Sequence, residues 1–253
     1  MNIQDKVIVV TGSGRGIGRG IALGCAQKGA KIAVVDLNLA DAQETVSLCE
    51  QAGVPAKAYG CNVANESEVE KLFTEIATDF HAIHGLVNNA GIARDATLVK
   101  FKDGKLENKM SLQQWQMVID VNLTGTFLCG REAATKMIES GVDEGVIINI
   151  SSVARAGNYG LSNYSATKAG VVALAEVWAR ELARYNIRTG VVAPGIINTD
   201  LLAATQPAAR ERWISGIPLK RPGEVEHIAD SVVFILENDY FTGRCIETDG
   251  GLR

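Results

Sequence analysis

The sequence predicts an α/β fold in which a doubly wound parallel sheet of seven strands is covered by helices on both faces. Short, continuously apolar runs alternate with amphipathic stretches from one end of the chain to the other. Strands that are apolar on both faces are typical of parallel sheets buried between helices. The 253 residues suit one domain, residues 1–253, and no linker or repeat divides them.

The elements follow one another in regular order. The predicted strands are Val7–Thr11, Lys31–Asp36, Ala56–Gly60, Gly85–Asn88, Val146–Ser151, Thr189–Ala193 and Cys245–Thr248. The predicted helices are Ile17–Lys28, Leu39–Ala52, Glu66–Phe80, Leu112–Ser140, Tyr164–Tyr185 and Val225–Leu236. One segment departs from this alternation: residues 98–107 alternate apolar and charged side chains around Asp103-Gly104, which predicts a small β-hairpin. The hairpin is either a surface excursion or a lid or subunit contact beside a functional site.

Composition excludes several classes of partner. The chain carries 25 Lys and Arg against 29 Asp and Glu, a net charge of −4, without a basic block. We therefore expect neither nucleic acid nor an anionic membrane as a partner. The absence of a signal peptide and of a long apolar run predicts a cytoplasmic protein. Five scattered cysteines without CxxC spacing predict reduced thiols and no metal site.

A glycine-rich turn joins the first strand to the first helix. Gly12, Gly16 and Gly18 permit a tight turn, let backbone N–H groups approach a pyrophosphate and allow close helix–strand packing. The turn therefore predicts a dinucleotide site. Its candidate binding residues are Gly12, Ser13, Gly14, Arg15, Gly16, Ile17 and Gly18.

The end of the second strand indicates which dinucleotide binds. Asp36 lies about 20 residues after the glycines, where a carboxylate can accept hydrogen bonds from both ribose hydroxyls. A 2′-phosphate there would face a like charge. Arg15 favours that phosphate, but residue 37 is Leu and no second base accompanies it. We therefore expect NAD(H) rather than NADP(H), with Asp36 and Leu37 at the adenosine ribose.

Tyr164 and Lys168 lie four residues apart, and on a helix this spacing places them on one face. An ammonium near a phenol favours the phenolate, so we expect Lys168 to lower the pKa of Tyr164. Together with the dinucleotide turn, the pair predicts acid–base chemistry coupled to hydride transfer.

These motifs together resemble the short-chain dehydrogenase/reductase family over essentially the whole chain. Besides the glycine turn and YxxxK, the sequence shows Asn88-Asn89-Ala90-Gly91, Val121-Asn122-Leu123, Asn149-Ile150-Ser151-Ser152 and Pro194-Gly195 followed by Thr199. The resemblance implies a Rossmann-like domain, usually in a homotetramer. Its implied catalytic residues are Asn122, Ser152, Tyr164 and Lys168. Its further implied cofactor contacts are Asn62, Val63, Asn89, Ala90, Gly91, Tyr164, Lys168, Pro194, Gly195, Ile197 and Thr199.

The catalytic serine has two candidates. Counting back from Tyr164 by the family's usual spacing gives Ser151, whereas counting forward from Asn149 gives Ser152. We prefer Ser152, because a strand fixes its end more firmly than a loop does. By resemblance, this serine holds the substrate carbonyl, Lys168 binds the nicotinamide ribose, and Asn122 holds a water that links Lys168 to solvent.

Within the family, residues 92–95 and 217–223 and the ending Asp249-Gly250-Gly251 are most similar to 3-oxoacyl-[acyl-carrier-protein] reductases. This implies reduction of a 3-oxoacyl thioester, with acyl carrier protein as a candidate partner. Those reductases usually use NADPH, which Asp36 opposes. The alternatives are a secondary-alcohol, polyol or steroid-like dehydrogenase, or a catalytically silent NAD-binding regulatory subunit. Residues 200–216 are either a lid over the substrate or an amphipathic connector.

Overall fold

The computed structural model describes residues 1–252 and contains one sheet of seven parallel strands. The sheet strands are β1 (Val7–Thr11), β2 (Lys31–Asp36), β3 (Ala56–Gly60), β4 (Gly85–Asn88), β7 (Gly145–Ile150), β8 (Ile187–Pro194) and β9 (Arg244–Thr248). Their order across the sheet is β3-β2-β1-β4-β7-β8-β9. Every neighbouring pair is parallel, which confirms the predicted doubly wound fold.

Helices cover both faces of this sheet. They are α1 (Gly16–Gln27), α2 (Leu39–Gln51), α3 (Glu66–Phe80), α4 (Leu112–Ile119), α5 (Gly125–Glu139), α6 (Ser162–Glu181), α7 (Asp200–Ala203), α8 (Pro207–Ser215) and α9 (Val225–Glu237). Two apolar clusters result, one on each face. Alternation along β1 feeds both, because Ile8 and Val10 join one cluster and Val9 joins the other.

The predicted hairpin is present and stands apart from the main sheet. Strands β5 (Val99–Lys102) and β6 (Lys105–Lys109) pair antiparallel, and all of their residues are exposed. Asp103 and Gly104 both have positive φ, as a two-residue hairpin turn requires.

The predicted helix Leu112–Ser140 is wrong in one respect. A π-helical turn over Asp120–Thr124 separates α4 from α5, and the amide of Gly125 donates to the carbonyl of Asp120, five residues back. A π-turn inserts one residue without ending the helix, so the apolar periodicity on either side continues. Such turns are frequent at functional sites, and this one contains Asn122.

The segment expected to be a lid or a connector forms the short helices α7 and α8. Every helix within residues 1–252 is too short or too polar to cross a bilayer. The five cysteines are free thiols, four of them buried and Cys245 half-buried.

Candidate active site

The glycine turn lies at the carboxyl end of β1, beside β4, where the order of the strands reverses. Ligands of doubly wound sheets bind at this position. Gly12 has a φ of +63°, and a Cβ at Gly18 would overlap the carbonyl oxygen of Gly12, so both positions require glycine. A Cβ at Gly16 would meet only Thr199 Cγ2, at 3.8 Å, so the turn is open on that side.

Ser13 holds the turn from beneath. It is fully buried, its hydroxyl donates to the carbonyl of Val10 at 2.6 Å, and it accepts from the amide of Val35 at 3.1 Å. Its own amide donates to the carbonyl of Val35. The polar groups of Ser13 therefore join β1 to β2, and Ser13 shapes the predicted site from within the protein.

The carboxylate of Asp36 lies against the glycine turn. It accepts from the amide of Gly14 at 2.9 Å and from the amide of Asn38 at 3.0 Å. The neighbouring side chains of Leu37 and Arg15 are exposed. Two backbone donors therefore fix the carboxylate against the glycine turn.

The next strand contributes Asn62 and Val63. The side chain of Asn62 is exposed and accepts from the amide of Ala64 at 3.1 Å. Val63 is buried against Gly125 at the end of the π-turn, where an added Cβ at Gly125 would lie 2.9 Å from Val63 Cγ2. Both residues lie just beyond β3.

Asn89 and Ala90 are tied to the glycine turn through Thr11. The Thr11 hydroxyl accepts from the amides of Asn89 and Ala90, both at 3.1 Å. The Asn89 side chain donates in return to the carbonyls of Thr11 at 3.0 Å and of Gly12 at 2.9 Å. Sequence analysis did not single out Thr11. Its position as the last residue of a buried strand, directly before the first glycine, was the available signal.

The last predicted contacts follow β8. The amide of Gly195 donates to the carbonyl of Thr248 at 3.0 Å, and Ile197 pairs with Gly223 in an isolated bridge. The Thr199 methyl group faces Gly16. The segment Pro194–Thr199 therefore forms the wall opposite the glycine turn.

Three candidate catalytic side chains converge where β7 ends and α6 begins. Ser152 follows the end of β7, and Tyr164 and Lys168 lie in the first two turns of α6. The Ser152 hydroxyl lies near that of Tyr164, where hydrogen bonding from it acts to lower the pKa of the phenol. Ser152 also accepts from the amide of Ala154 at 3.1 Å, which leaves its proton free to be donated. Lys168 Nζ lies 5.5 Å from the centroid of the Tyr164 ring and donates to the carbonyl of Ile150 at 2.7 Å.

The two candidate serines have different surroundings. Ser151 is buried, and its hydroxyl donates to the carbonyl of Lys168 at 2.6 Å. Ser152, by contrast, faces Tyr164. The geometry favours Ser152 as the serine beside the reacting group and makes Ser151 a tie between β7 and α6.

The pKa of Tyr164 moves opposite to our expectation. Burial raises the pKa of the Tyr164 hydroxyl, and the hydrogen bond with Ser152 opposes that rise. Burial also lowers the pKa of the Lys168 ammonium to about 8. Desolvation penalises the charged forms of both groups. The four-residue spacing therefore places Lys168 beside Tyr164, but burial sets the direction of the shift in the Tyr164 pKa.

Asn122 is buried at the π-turn and joins two parts of the site. Its side chain accepts from the amide of Ile92 at 2.8 Å and donates to the carbonyl of Ile92 at 2.9 Å. It also donates to the hydroxyl of Thr167, beside Lys168, at 3.3 Å. Three side-chain hydrogen bonds are thus made within the protein, so Asn122 fixes the segment after β4 against α6.

Asn163 has a related role that sequence analysis did not identify. It is fully buried, and its amide group donates to the carbonyls of Arg94 at 3.2 Å and Gln114 at 3.1 Å. Its oxygen accepts from the amide of Tyr164 at 2.8 Å. Asn163 therefore holds the start of α6, and with it Tyr164, against α4.

The residues present fit a nicotinamide dinucleotide. The open side of Gly16 provides a backbone cradle between the turn and Thr199. Lys168 is a buried ammonium without a carboxylate partner among the described residues, so it is suited to neutral hydroxyl ligands. No group of three or more His, Cys, Asp and Glu within residues 1–252 is arranged to hold a metal ion.

Comparison with known proteins agrees with this geometry. A family model described as Enoyl-(Acyl carrier protein) reductase matches residues 12–253. Among curated relatives, the 3-oxoacyl-[acyl-carrier-protein] reductase FabG of Thermotoga maritima is 38% identical, covering 100% of this chain and 99% of the relative. A 3-oxoacyl-[acyl-carrier-protein] reductase of Rattus norvegicus is 40% identical, covering 99% of both chains.

Two solved structures share the fold along nearly the whole chain. A short-chain type dehydrogenase/reductase from Mycobacterium marinum has a TM-score of 0.89 at 30% identity, over 99% of this chain and 96% of that one. A putative gluconate dehydrogenase from Agrobacterium tumefaciens has a TM-score of 0.90 at 32% identity, over 99% of this chain and 97% of that one. The chain belongs to the short-chain dehydrogenase/reductase family, an oxidoreductase family that uses a nicotinamide cofactor.

Proposed function

We propose that the protein reduces 3-oxoacyl thioesters to 3-hydroxyacyl thioesters with NADH. The observation that carries this proposal is the cluster of Ser152, Tyr164 and Lys168 at the mouth of the dinucleotide cradle. The full-length similarity to 3-oxoacyl reductases supports the substrate class.

A dihydronicotinamide held between the glycine turn and Thr199 would supply the hydride for the carbonyl carbon. Ser152 donates a hydrogen bond to the carbonyl oxygen, where negative charge develops during reduction. Tyr164 transfers its proton to that oxygen, and Lys168 stabilises the resulting phenolate. Asn122 is a positioning residue, because its side-chain hydrogen bonds hold Ile92 and Thr167 around this centre.

The preference for NADH rests on Asp36. Its carboxylate is held by the amides of Gly14 and Asn38, so it stays at the ribose position. A 2′-phosphate there would repel it. The usual NADPH preference of 3-oxoacyl-[acyl-carrier-protein] reductases makes this the point at which the chain differs from them.

Initial rates of acetoacetyl-CoA reduction with NADH and with NADPH test both parts of the proposal. We expect turnover with a clear preference for NADH, and Asp36→Ser should shift that preference toward NADPH. Asp230→Ser is the matched control, because it removes an exposed carboxylate on α9 outside the predicted cofactor contacts. A wild-type preference for NADPH would contradict the role of Asp36 and would leave the proposed substrate class standing.

A polyol or sugar-acid dehydrogenase is the second candidate function. The similarity to a putative gluconate dehydrogenase, with a TM-score of 0.90, favours it. Oxidation of gluconate and simple polyols with NAD, measured beside acetoacetyl-CoA reduction, separates the two. Turnover of the polyols alone would replace the thioester proposal.

The identity of the thioester carrier and the assembly are part of the same proposal. Arg131, a candidate for docking an acidic carrier, is paired with Glu66 at 2.8 Å and Glu132 at 2.7 Å.

Leu112 and Phe127, on α4 and α5, expose apolar surface that a homotetramer of the family type would cover. Sedimentation equilibrium tests the tetramer, and kinetics with carrier-linked and CoA-linked substrates test carrier recognition.

A further inference from the structure

The hairpin of β5 and β6 is amphipathic. Direct pairing places Phe101 opposite Leu106, and alternation puts Val99 on the same face as Phe101. Val99 is 56% exposed, Phe101 63% and Leu106 50%. Lys100 and Lys102 occupy the other face, where Lys100 pairs with Glu107 at 3.0 Å.

The base of the hairpin is joined to the active-site region. The amide of Ala96 donates to the carbonyl of Gly160 at 2.9 Å, and Ala96 bridges to Leu161, three residues before Tyr164. The amide of Met110 closes the stem by donating to the carbonyl of Leu98 at 3.2 Å. The hairpin therefore projects from the start of the helix that carries Tyr164.

A cavity of about 540 Å³ lies between the hairpin stem and the loop that follows Ser152. Thr97, Leu98 and Val99 line one side, and residues 156–160 line the other. Val99 belongs both to this wall and to the apolar face of the hairpin. Val99 is therefore the residue at which the apolar face of the hairpin meets the cavity.

We propose that this cavity and the apolar face of the hairpin bind the acyl chain of a medium- or long-chain 3-oxoacyl thioester. The inference rests on the proposed function, because it extends the substrate beyond the carbonyl held at Ser152 and Tyr164. The volume is in the range of small-molecule sites. Val99 lines the cavity, Phe101 lies on the same face of the hairpin beyond it, and Lys100 and Lys102 lie on the other face, while Lys109 pairs with Val99 at the stem. An alkyl chain is the part of a thioester substrate that such a surface recognises.

The test is the ratio of kcat/KM for 3-oxodecanoyl-CoA to that for acetoacetyl-CoA, measured with NADH. Each methylene removed from water strengthens binding by up to about fourfold. We therefore expect kcat/KM for 3-oxodecanoyl-CoA to be at least about tenfold higher than that for acetoacetyl-CoA. The double variant Phe101→Ser, Leu106→Ser removes the apolar surface at positions already exposed, and the ratio should fall at least about fivefold. Lys100→Ser, Lys102→Ser is the matched control on the other face and should leave the ratio unchanged.

Failure of the proposed function and failure of the acyl-chain site give different results in this experiment. No wild-type turnover of either thioester would overturn the proposed function. Wild-type turnover with a ratio that the apolar double variant leaves unchanged would overturn the acyl-chain site alone. An unchanged ratio together with a smaller mass in sedimentation equilibrium would assign the apolar face to a second copy of the chain instead. A fall in the ratio confined to the lysine variant would also overturn the proposal, in favour of recognition of the thioester carrier.

Discussion

Replacing Lys168 by methionine is expected to stabilise the fold while it abolishes carbonyl reduction. The side chain is buried, and no carboxylate among the described residues pairs with its ammonium. Burial lowers its pKa to about 8 from a reference of 10.5. A buried, unpaired charge costs folding free energy, and the proposed chemistry requires that charge.

The size of the effect follows from the pKa. A shift from 10.5 to about 8 corresponds to roughly 3 kcal/mol of unfavourable free energy near neutral pH. Methionine forfeits the hydrogen bond to the carbonyl of Ile150, which costs about 1–2 kcal/mol. The net expectation is a stabilisation of about 1–2 kcal/mol. For a chain of this length, that amounts to an increase of roughly 2–8 °C in Tm.

The pH dependence gives this prediction its sign. Because the folded-state pKa of Lys168 lies below the unfolded value, the unfolded chain binds more protons between about pH 8 and pH 10.5. Wild-type stability therefore rises through that window relative to the Lys168→Met variant. The advantage of the variant should be full near neutral pH, reach zero between about pH 9 and pH 10 and reverse above that.

The assay is denaturant unfolding at several pH values, with all proteins at equal concentration. Lys71→Met is the matched control, because Lys71 is exposed on α3 with only a weak helical ion pair, and a change within about 0.5 kcal/mol is expected. A Lys168→Met variant that is less stable than wild type near neutral pH, or an advantage independent of pH, would refute the reasoning.

Three further predictions concern the serines, a buried histidine and the glycine turn. Ser152→Ala should lower kcat by about a hundredfold, whereas Ser151→Ala should mainly lower stability; equal kinetic losses would contradict the assignment. Burial, followed by nearby lysines, lowers the pKa of His84 to about 4, so stability should fall as pH drops from about 6.5 to 4. Denaturant unfolding of His84→Asn, whose side-chain oxygen can still accept from Val7, should show a smaller fall. Gly18→Ala should prevent cofactor binding or folding because its Cβ overlaps Gly12, and unaltered cofactor titration would contradict this.

Much of the fold was predictable because burial leaves a local signature in the strands. Each predicted sheet strand overlaps an observed one, since apolar runs bounded by turn residues are readable without knowledge of tertiary contacts. The π-turn at Asp120–Thr124 was not predictable. One inserted residue alters the hydrogen-bond pattern, while α4 and α5 each keep an apolar face.

The site was predictable as a set of residues but not as an environment. The motifs pointed to Tyr164 and Lys168, which lie side by side in the structure, and to Asp36, which lies against the glycine turn. The pKa of Tyr164 was not predictable, because helical spacing reports the distance to Lys168 but not the burial of both groups. Asn163 was missed because its partners, the carbonyls of Arg94 and Gln114, are 69 and 49 residues away.

The central claim is that the Tyr164 hydroxyl supplies the proton for carbonyl reduction. The most direct measurement is the kcat of Tyr164→Phe for acetoacetyl-CoA, together with the dissociation constant for NADH. We expect a loss of about 10²–10⁴-fold in kcat with NADH binding nearly unchanged. Near-normal turnover with intact NADH binding would contradict it.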